Sequence, residues 1–281
     1  MQMYNTVKNK TIRALHRMNY ELTEDVMRAL AVSYQEEQSQ RGKKILQRIL
    51  DNLDIARQEK IPLCQDTGLV WFYISIGRKF PLDFSLDQCL DEAVSEAYTR
   101  AYLRGSIVKE PLQKRENTRT NTPSLKYYQF HEGKDLRIYI LVKGFGSENM
   151  SDVAMLTPAD GEKGVIAFIR QTVQKAGGSP CPPLFLGVGI GGTMDKAALL
   201  SKIALFRTVG TRHEENYYAE LEEQISREVN SLGIGPAGIG GRFTCLNTAI
   251  EYCPTHIAGL PVALTINCWA DRKAILHFQA E

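Results

Sequence analysis

The chain of 281 residues is 43% hydrophobic and 23% charged, and its 34 basic against 32 acidic side chains leave a formal net charge of +2. That balance excludes a field strong enough to recruit nucleic acid or an anionic membrane surface, and no run of about 18 apolar residues is present to span a bilayer. The first residues, MQMYNTVKNKTIRALHRMNYELTED, lack an apolar core, so no secretory signal is expected and a cytoplasmic location follows. In a reducing compartment the six cysteines, at 64, 89, 181, 245, 253 and 268, point to metal or redox chemistry rather than structural disulfides.

The first sixty residues read as helices. ELTEDVMRALAVSYQEE has Thr23 as a candidate N-cap, and GKKILQRILDNLDIARQEK repeats apolar residues near the helical period. IPLCQDTG breaks that pattern, LVWFYISIG reads as a strand, and SLDQCLDEAVSEAYTRAYLR reads as a helix opened by Ser85. KEPLQKRENTRTN (109–121) is polar and basic without interleaved aromatics, the composition of a solvated loop. KYYQFHEGKDLRIYILVKG then predicts a β-hairpin about Glu132-Gly133-Lys134-Asp135.

The loop KGFGSEN is followed by a helix over GEKGVIAFIRQTVQKAGG. PLFLGVGIGGTMDKAALL predicts a strand and then a helix opened by Thr193, and ENYYAELEEQISREVNSLG a further helix. After the glycine cluster GIGPAGIGG come a short helix near Asn247–Tyr252 and the strand LPVALTIN. No repeat or linker interrupts this order. The expectation is one α/β domain over 1–281, a helical N-terminal region of sixty residues leading into a mixed α/β catalytic part.

The glycines at 187, 189 and 192 spell G-x-G-x-x-G between strand and helix, the spacing of a dinucleotide-binding turn. About 20 residues on, where an acidic residue should end a second strand, stands the polar GTRHEENYY, and no Walker-type loop exists. The glycines therefore permit three readings: a nucleotide site, close backbone packing, or the lining of a site for another ligand. Cys64 in IPLCQDTG, Cys181 in GGSPCPPLF and Cys268 in TINCWADR each stand at an element boundary, where distant segments can converge. Cys89 falls within a helix, Cys245 and Cys253 bracket the short helical stretch, and no C-x-x-C pair is present. Spacing alone leaves a metal site and a set of inert thiols both open.

Whole segments narrow the choice. IPLCQDTG, LRGSIV, NTP, KGFGSENMSDVAMLTP, CPPLFLGVGIGGTMDKAALLSKIAL, GIGPAGIGG and PVALTINCWADR together resemble the iron–sulfur hydro-lyases, the class I fumarases and L-tartrate dehydratases, in their α subunit or α-type domain. The resemblance runs from about residue 10 to the end, with one departure at Phe145, where many relatives carry another glycine. It implies a [4Fe–4S] cluster held by Cys64, Cys181 and Cys268, one iron being left open as a Lewis acid toward a substrate hydroxyl. It also implies that Arg104 and Gln65 bind substrate, that Gly146 and its loop offer backbone N–H groups to a carboxylate, and that Asp66 acts in acid–base chemistry with a threonine of a β subunit. His256 matches an active-site histidine, a candidate for proton transfer or hydroxyl binding. Because the chain ends soon after Cys268, a separate β subunit and an α2β2 assembly are expected.

The leading expectation is thus a fumarate hydratase α subunit interconverting (S)-malate and fumarate. An L-tartrate dehydratase α subunit forming oxaloacetate is the alternative within the class. An NAD-binding oxidoreductase, favoured by the glycine spacing alone, and a cluster-free interaction module are the alternatives outside it.

Overall fold

A computed structural model describes residues 2–279. The helical periodicity of the N-terminal region folds as α1 (Gln2–Tyr20), α2 (Glu24–Glu36) and α3 (Gln40–Glu59). There follow β1 (Leu69–Gly77), α4 (Leu86–Arg100), β2 (Leu125–His131), β3 (Asp135–Lys143), the single-turn α5 (Phe145–Glu148), β4 (Asp152–Leu156) and α6 (Gly161–Ala176). The remainder comprises β5 (Leu184–Gly191), α7 (Met194–Ala204), α8 (Asn216–Asn230), a 3-10 turn at Pro236–Gly238, β6 (Cys245–Cys253), β7 (Leu260–Asn267) and β8 (Arg272–Gln279). The class is α/β. No helix among the described residues is long and apolar enough to cross a membrane.

Two compact units share the chain. One takes residues up to Leu22, Leu53–Phe145 and the stretch from Arg272; the other takes Thr23–Asn52 and Gly146–Asp271. In the first unit the sheet order is β2-β1-β3-β8. Alternation along β1 sends Val70, Phe72, Ile74 and Ile76 to one face, opposite Val142, Ile140, Ile138 and Leu136 of antiparallel β3. These residues form a core with Val7 and Leu15 of α1 and Leu90 and Val94 of α4. Ser85 caps α4 as expected, its Oγ accepting the Gln88 N–H at 3.3 Å. Thr23 occupies the N-cap position of α2, but its hydroxyl makes no capping bond.

The predicted hairpin of β2 and β3 does not form. β1 lies between them, parallel to β2 and antiparallel to β3. The link through Gly133 instead arches over the end of β1, with Arg78 and Lys79 N–H donating to the carbonyls of His131 and Gly133. A Cβ on Gly77 would stand 2.6 Å from the Gly133 backbone, so the arch needs a glycine beneath it. The most apolar strand of the three takes the centre, and β2, exposed along most of its length, takes the edge.

In the second unit the order is β4-β7-β5-β6, with β5 and β6 parallel and β7 antiparallel to both β4 and β5. Leu184, Leu186, Val188 and Ile190 of β5 share a core with Val165, Ile169 and Val173 of α6 and Leu221, Ile225 and Val229 of α8. The opposite face of β5 carries glycines, and α7 lies on it. A Cβ on Gly187 or Gly189 would fall 2.0 Å from the carbonyl oxygens of Ser201 and Ala197 respectively. This is the close-packing reading of the glycine motif. The segment expected as a short helix at 247–252 is strand β6. It is buried on both faces, so polar alternation is lost and its apolar spacing mimics a helix.

Candidate active site

In the first unit the loop between α3 and β1 presents Cys64, Gln65 and Asp66. Leu63 N–H donates to the Asn19 carbonyl (2.8 Å) and anchors the loop's entry. The buried Tyr98 hydroxyl donates to the carbonyls of Thr67 (2.6 Å) and Gly68 (3.2 Å), and Asn121 Nδ2 donates to the latter at 3.1 Å. Burial drives the Tyr98 phenol well above its usual range, with nearby Asp66 adding to the rise and nearby Arg272 opposing it.

Asp66 is fixed at both oxygens: Oδ1 accepts the Gly68 N–H (2.9 Å) and Oδ2 the Phe145 N–H (2.8 Å). One of the backbone donors expected to face a substrate carboxylate is thus already taken by Asp66. Gly144 lies against this carboxylate, since an added Cβ would stand 3.2 Å from Asp66 Oδ2 and 3.7 Å from Arg272 Nη2. Arg272 is 2% exposed; its Nη1 donates to Asn19 Oδ1 (3.2 Å), while its Nε has no hydrogen-bond partner among the described residues.

Asp66 and Arg104 line one pocket of about 490 Å³, with Ser106 and Arg115 beside them and Leu69, Ile107, Val108, Pro111 and Phe145 as apolar wall. Thr67 Oγ1 donates to the Arg104 carbonyl at 3.0 Å, which ties the Asp66 loop to the segment carrying the arginine. Gln65 is exposed and Cys64 half-buried on that loop.

In the second unit Cys181 and Cys268 meet at one end of the sheet. Phe185 of β5 pairs with Asn267 of β7, and the Trp269 N–H donates to the Cys181 carbonyl (3.3 Å). Cys181 is exposed and held at φ +57, a left-handed conformation that a non-glycine residue adopts only when its surroundings impose it. The second glycine cluster packs on both sides of it: Ala237 N–H donates to the Pro182 carbonyl (2.8 Å), and a Cβ on Gly238 would stand 2.5 Å from Gly178 Cα. The turn bearing Cys268 is closed by Asn267 Nδ2 donating to buried Asp271 Oδ1 (2.6 Å). Gly146 lies in the same neighbourhood, a Cβ there coming 3.6 Å from the Ser179 carbonyl.

Two features stand apart from this pair of cysteines. The turn from β5 into α7, at Gly191–Thr193, lies a strand length from Cys181. His256, exposed between β6 and β7, is at that far end as well, because Gly191 pairs with Cys253 in the parallel register. The eight residues of β7 separate it from Cys268 by on the order of 25 Å. Arg115 and Arg272 are not among the residues that the sequence motifs point to. The signal for Arg272 was available in the alternation of RKAILHFQ, which forms β8; Arg115 sat in a stretch whose composition says only that it is polar.

The cysteines divide by environment. Burial pushes the thiols of Cys89 and Cys245 up to about 11, as suits inert core residues. Cys64, Cys253 and Cys268 are half-buried and Cys181 is exposed, so accessibility separates Cys89 and Cys245 from the rest, and thiols are the donor type that iron–sulfur ligation uses. Among the described residues, no three Cys, His, Asp or Glu side chains surround a common metal-binding point.

The family model described as fumarate hydratase (Fumerase) matches residues 8–277. The chain is 42% identical over 267 residues to a Methanocaldococcus jannaschii protein named as a candidate L(+)-tartrate dehydratase subunit alpha, a match covering 92% of this chain and 93% of that one. It is 32% identical over 262 residues to the L(+)-tartrate dehydratase subunit alpha of Escherichia coli K12, covering 92% of this chain and 86% of the relative. The same figures hold for the subunit of that name from Shigella sonnei.

Proposed function

The chain belongs to the fumarate hydratase (Fumerase) family, and from that membership we propose that it is the α subunit of an iron–sulfur hydro-lyase interconverting (S)-malate with fumarate and water. The observation that carries the reading is the pocket lined by Asp66, fixed at both oxygens, and by Arg104 among apolar residues. Such a pocket takes a small carboxylate and holds a carboxyl group ready beside it.

In this reading Cys64, Cys181 and Cys268 hold a [4Fe–4S] cluster with one iron lacking a cysteine ligand. When bound, the cluster would supply Lewis acidity toward the hydroxyl that leaves as malate is dehydrated. The chain's own residues do the rest. Arg104 holds a substrate carboxylate through its planar fork, and Gln65 hydrogen-bonds the substrate from the same loop as Cys64. Gly146 offers a backbone N–H to negative charge building on the carboxylate next to the carbon that loses its proton. Asp66, immobile and beside the pocket, moves that proton together with a group from a β subunit. His256, by resemblance a candidate for proton transfer or hydroxyl binding, stands at the far end of the second unit's sheet, so its role would be toward a site completed by another chain.

Relatives of the chain are named as α subunits. We therefore infer a β subunit that completes the site, in an α2β2 assembly within the cytoplasm. A second reading, L(+)-tartrate dehydration to oxaloacetate, is favoured by the names of those relatives. Support for malate comes from the pocket: among the described residues Ser106 is the only side-chain hydroxyl lining it, which leaves few partners for the second hydroxyl of tartrate. The test is turnover by the assembled, iron-loaded α and β chains. Malate is expected to exceed L-tartrate in kcat/KM; the reverse order establishes the second reading, and turnover of neither overturns both.

A further inference from the structure

The basic stretch between α4 and β2 is a built structure rather than a solvated tether. Its base is a short two-stranded ladder, with a bridge between Val108 and Asn117, Lys109 N–H donating to the Glu116 carbonyl (2.8 Å) and Thr118 N–H to the Ile107 carbonyl (2.8 Å). At the start of the turn Glu110 accepts the backbone N–H groups of Leu112 (2.6 Å), Gln113 (2.6 Å) and Lys114 (2.9 Å). Those donors, Leu112 first, hold the Glu110 carboxyl below its usual range. A six-residue turn wrapped around one carboxylate in this way has little freedom left.

The turn ends in Arg115, whose backbone is left-handed (φ +46) and whose Nη1 donates back to the Pro111 carbonyl. The geometry commits the arginine to the wall of the Asp66 pocket, where it stands with Arg104. Neither guanidinium has an ion-pair partner among the described residues. Among the described residues Asp66 is the one carboxylate lining the pocket, and it is already bound by two backbone donors. Two arginines without ion-pair partners lining the pocket with one occupied carboxylate leave it net cationic. Leu69, Ile107, Val108, Pro111 and Phe145 thin the water around it, which strengthens charge recognition. A pocket of this kind selects a dianion.

We propose that Arg115 is a substrate-binding residue, a second guanidinium anchor that takes one carboxylate of a small dicarboxylate beside Arg104. The inference rests on the hydro-lyase reading and deepens it by assigning the residue that selects dicarboxylates over monocarboxylates. Glu110 is the positioning residue behind it.

The experiment uses the assembled, iron-loaded enzyme and its Arg115→Gln and Arg115→Lys variants. Arg115 is exposed, so neither substitution threatens the core, and thermal melting checks this. Arg115→Gln is expected to raise the KM for the dicarboxylate about 10- to 100-fold with kcat changed far less, as for loss of a contact made equally in ground and transition states. Arg115→Lys, which keeps the charge but not the fork, is expected to recover part of that loss. Inhibition by a saturated C4 dicarboxylate should weaken in parallel, while the weak inhibition by the matching monocarboxylate stays as it was. A KM within about twofold of the parent, or a rise matched by a fall in melting temperature and absent in Arg115→Lys, would overturn the assignment. Failure of the parent enzyme to turn over any 2-hydroxydicarboxylate would overturn the hydro-lyase reading and this one with it; normal parent turnover with an unaltered variant overturns Arg115 alone.

Discussion

Gly187 and Gly189 show how one residue pair can carry a misleading message. Their spacing is that of a phosphate-binding turn, but the space a side chain would need is filled by the Ser201 and Ala197 carbonyls of α7. Gly189→Ala is expected to destabilise the chain by about 1–3 kcal/mol or more, since the added methyl meets backbone rather than a movable side chain. Thermal and urea unfolding check this, and unchanged stability would show that α7 can shift at no cost. The pattern was legible in the sequence; its cause was not, because the same alternation of large residue and glycine serves a nucleotide turn and a tight helix–strand contact equally. Cys181 is a similar case. Its flanking prolines announced a stiff backbone, but neither the left-handed conformation nor the glycines that pack beside it from about fifty positions later.

At the scale of elements, the second unit supports its cysteine loop through a chain of backbone contacts that begins at Glu37. This buried glutamate ends α2 and accepts N–H groups from Gln38 and Ser39 (2.9 Å each), Arg242 (2.9 Å at its nearer oxygen) and Phe243 (3.3 Å). Burial works against its charge, but these donors outweigh that and hold the carboxyl below the usual range. A lowered folded value means that the contribution to stability is present above the unfolded value and lost as pH falls through the folded one. Glu37→Gln is therefore expected to lower stability by about 1.5–3 kcal/mol at neutral pH. The gap between parent and variant should narrow in acid, below the usual glutamate range; a gap constant across that range would contradict the charge-based account. Most helices were legible from apolar period and caps, Ser85 above all. The strands were less so: the β2–β3 sequence satisfies every local rule for a hairpin, and only the competition of the more apolar β1 for the central position excludes it. β6 was misread because burial on both faces removes the alternation that identifies a strand.

On the scale of the whole molecule, the candidate residues are scattered along the chain, and that scatter limits what local reading can find. Cys64, Gln65, Asp66 and Arg104 belong to the first unit and Gly146, Cys181 and Cys268 to the second, and the chain passes between the units at Leu22–Thr23, Asn52–Leu53, Phe145–Gly146 and Asp271–Arg272. Motif resemblance singles out the three candidate ligand cysteines and strand alternation marks Arg272, whereas Arg115 emerges only from the pocket lining. The proposed hydro-lyase rests on three of the six cysteines holding a cluster, and the most direct test is the iron and sulfide bound after anaerobic reconstitution of the chain and of single Cys→Ser variants. About four irons per chain are predicted for the parent and for Cys89→Ser, with the loss of most of them in Cys64→Ser, Cys181→Ser and Cys268→Ser. A full cluster retained in Cys181→Ser would contradict the claim.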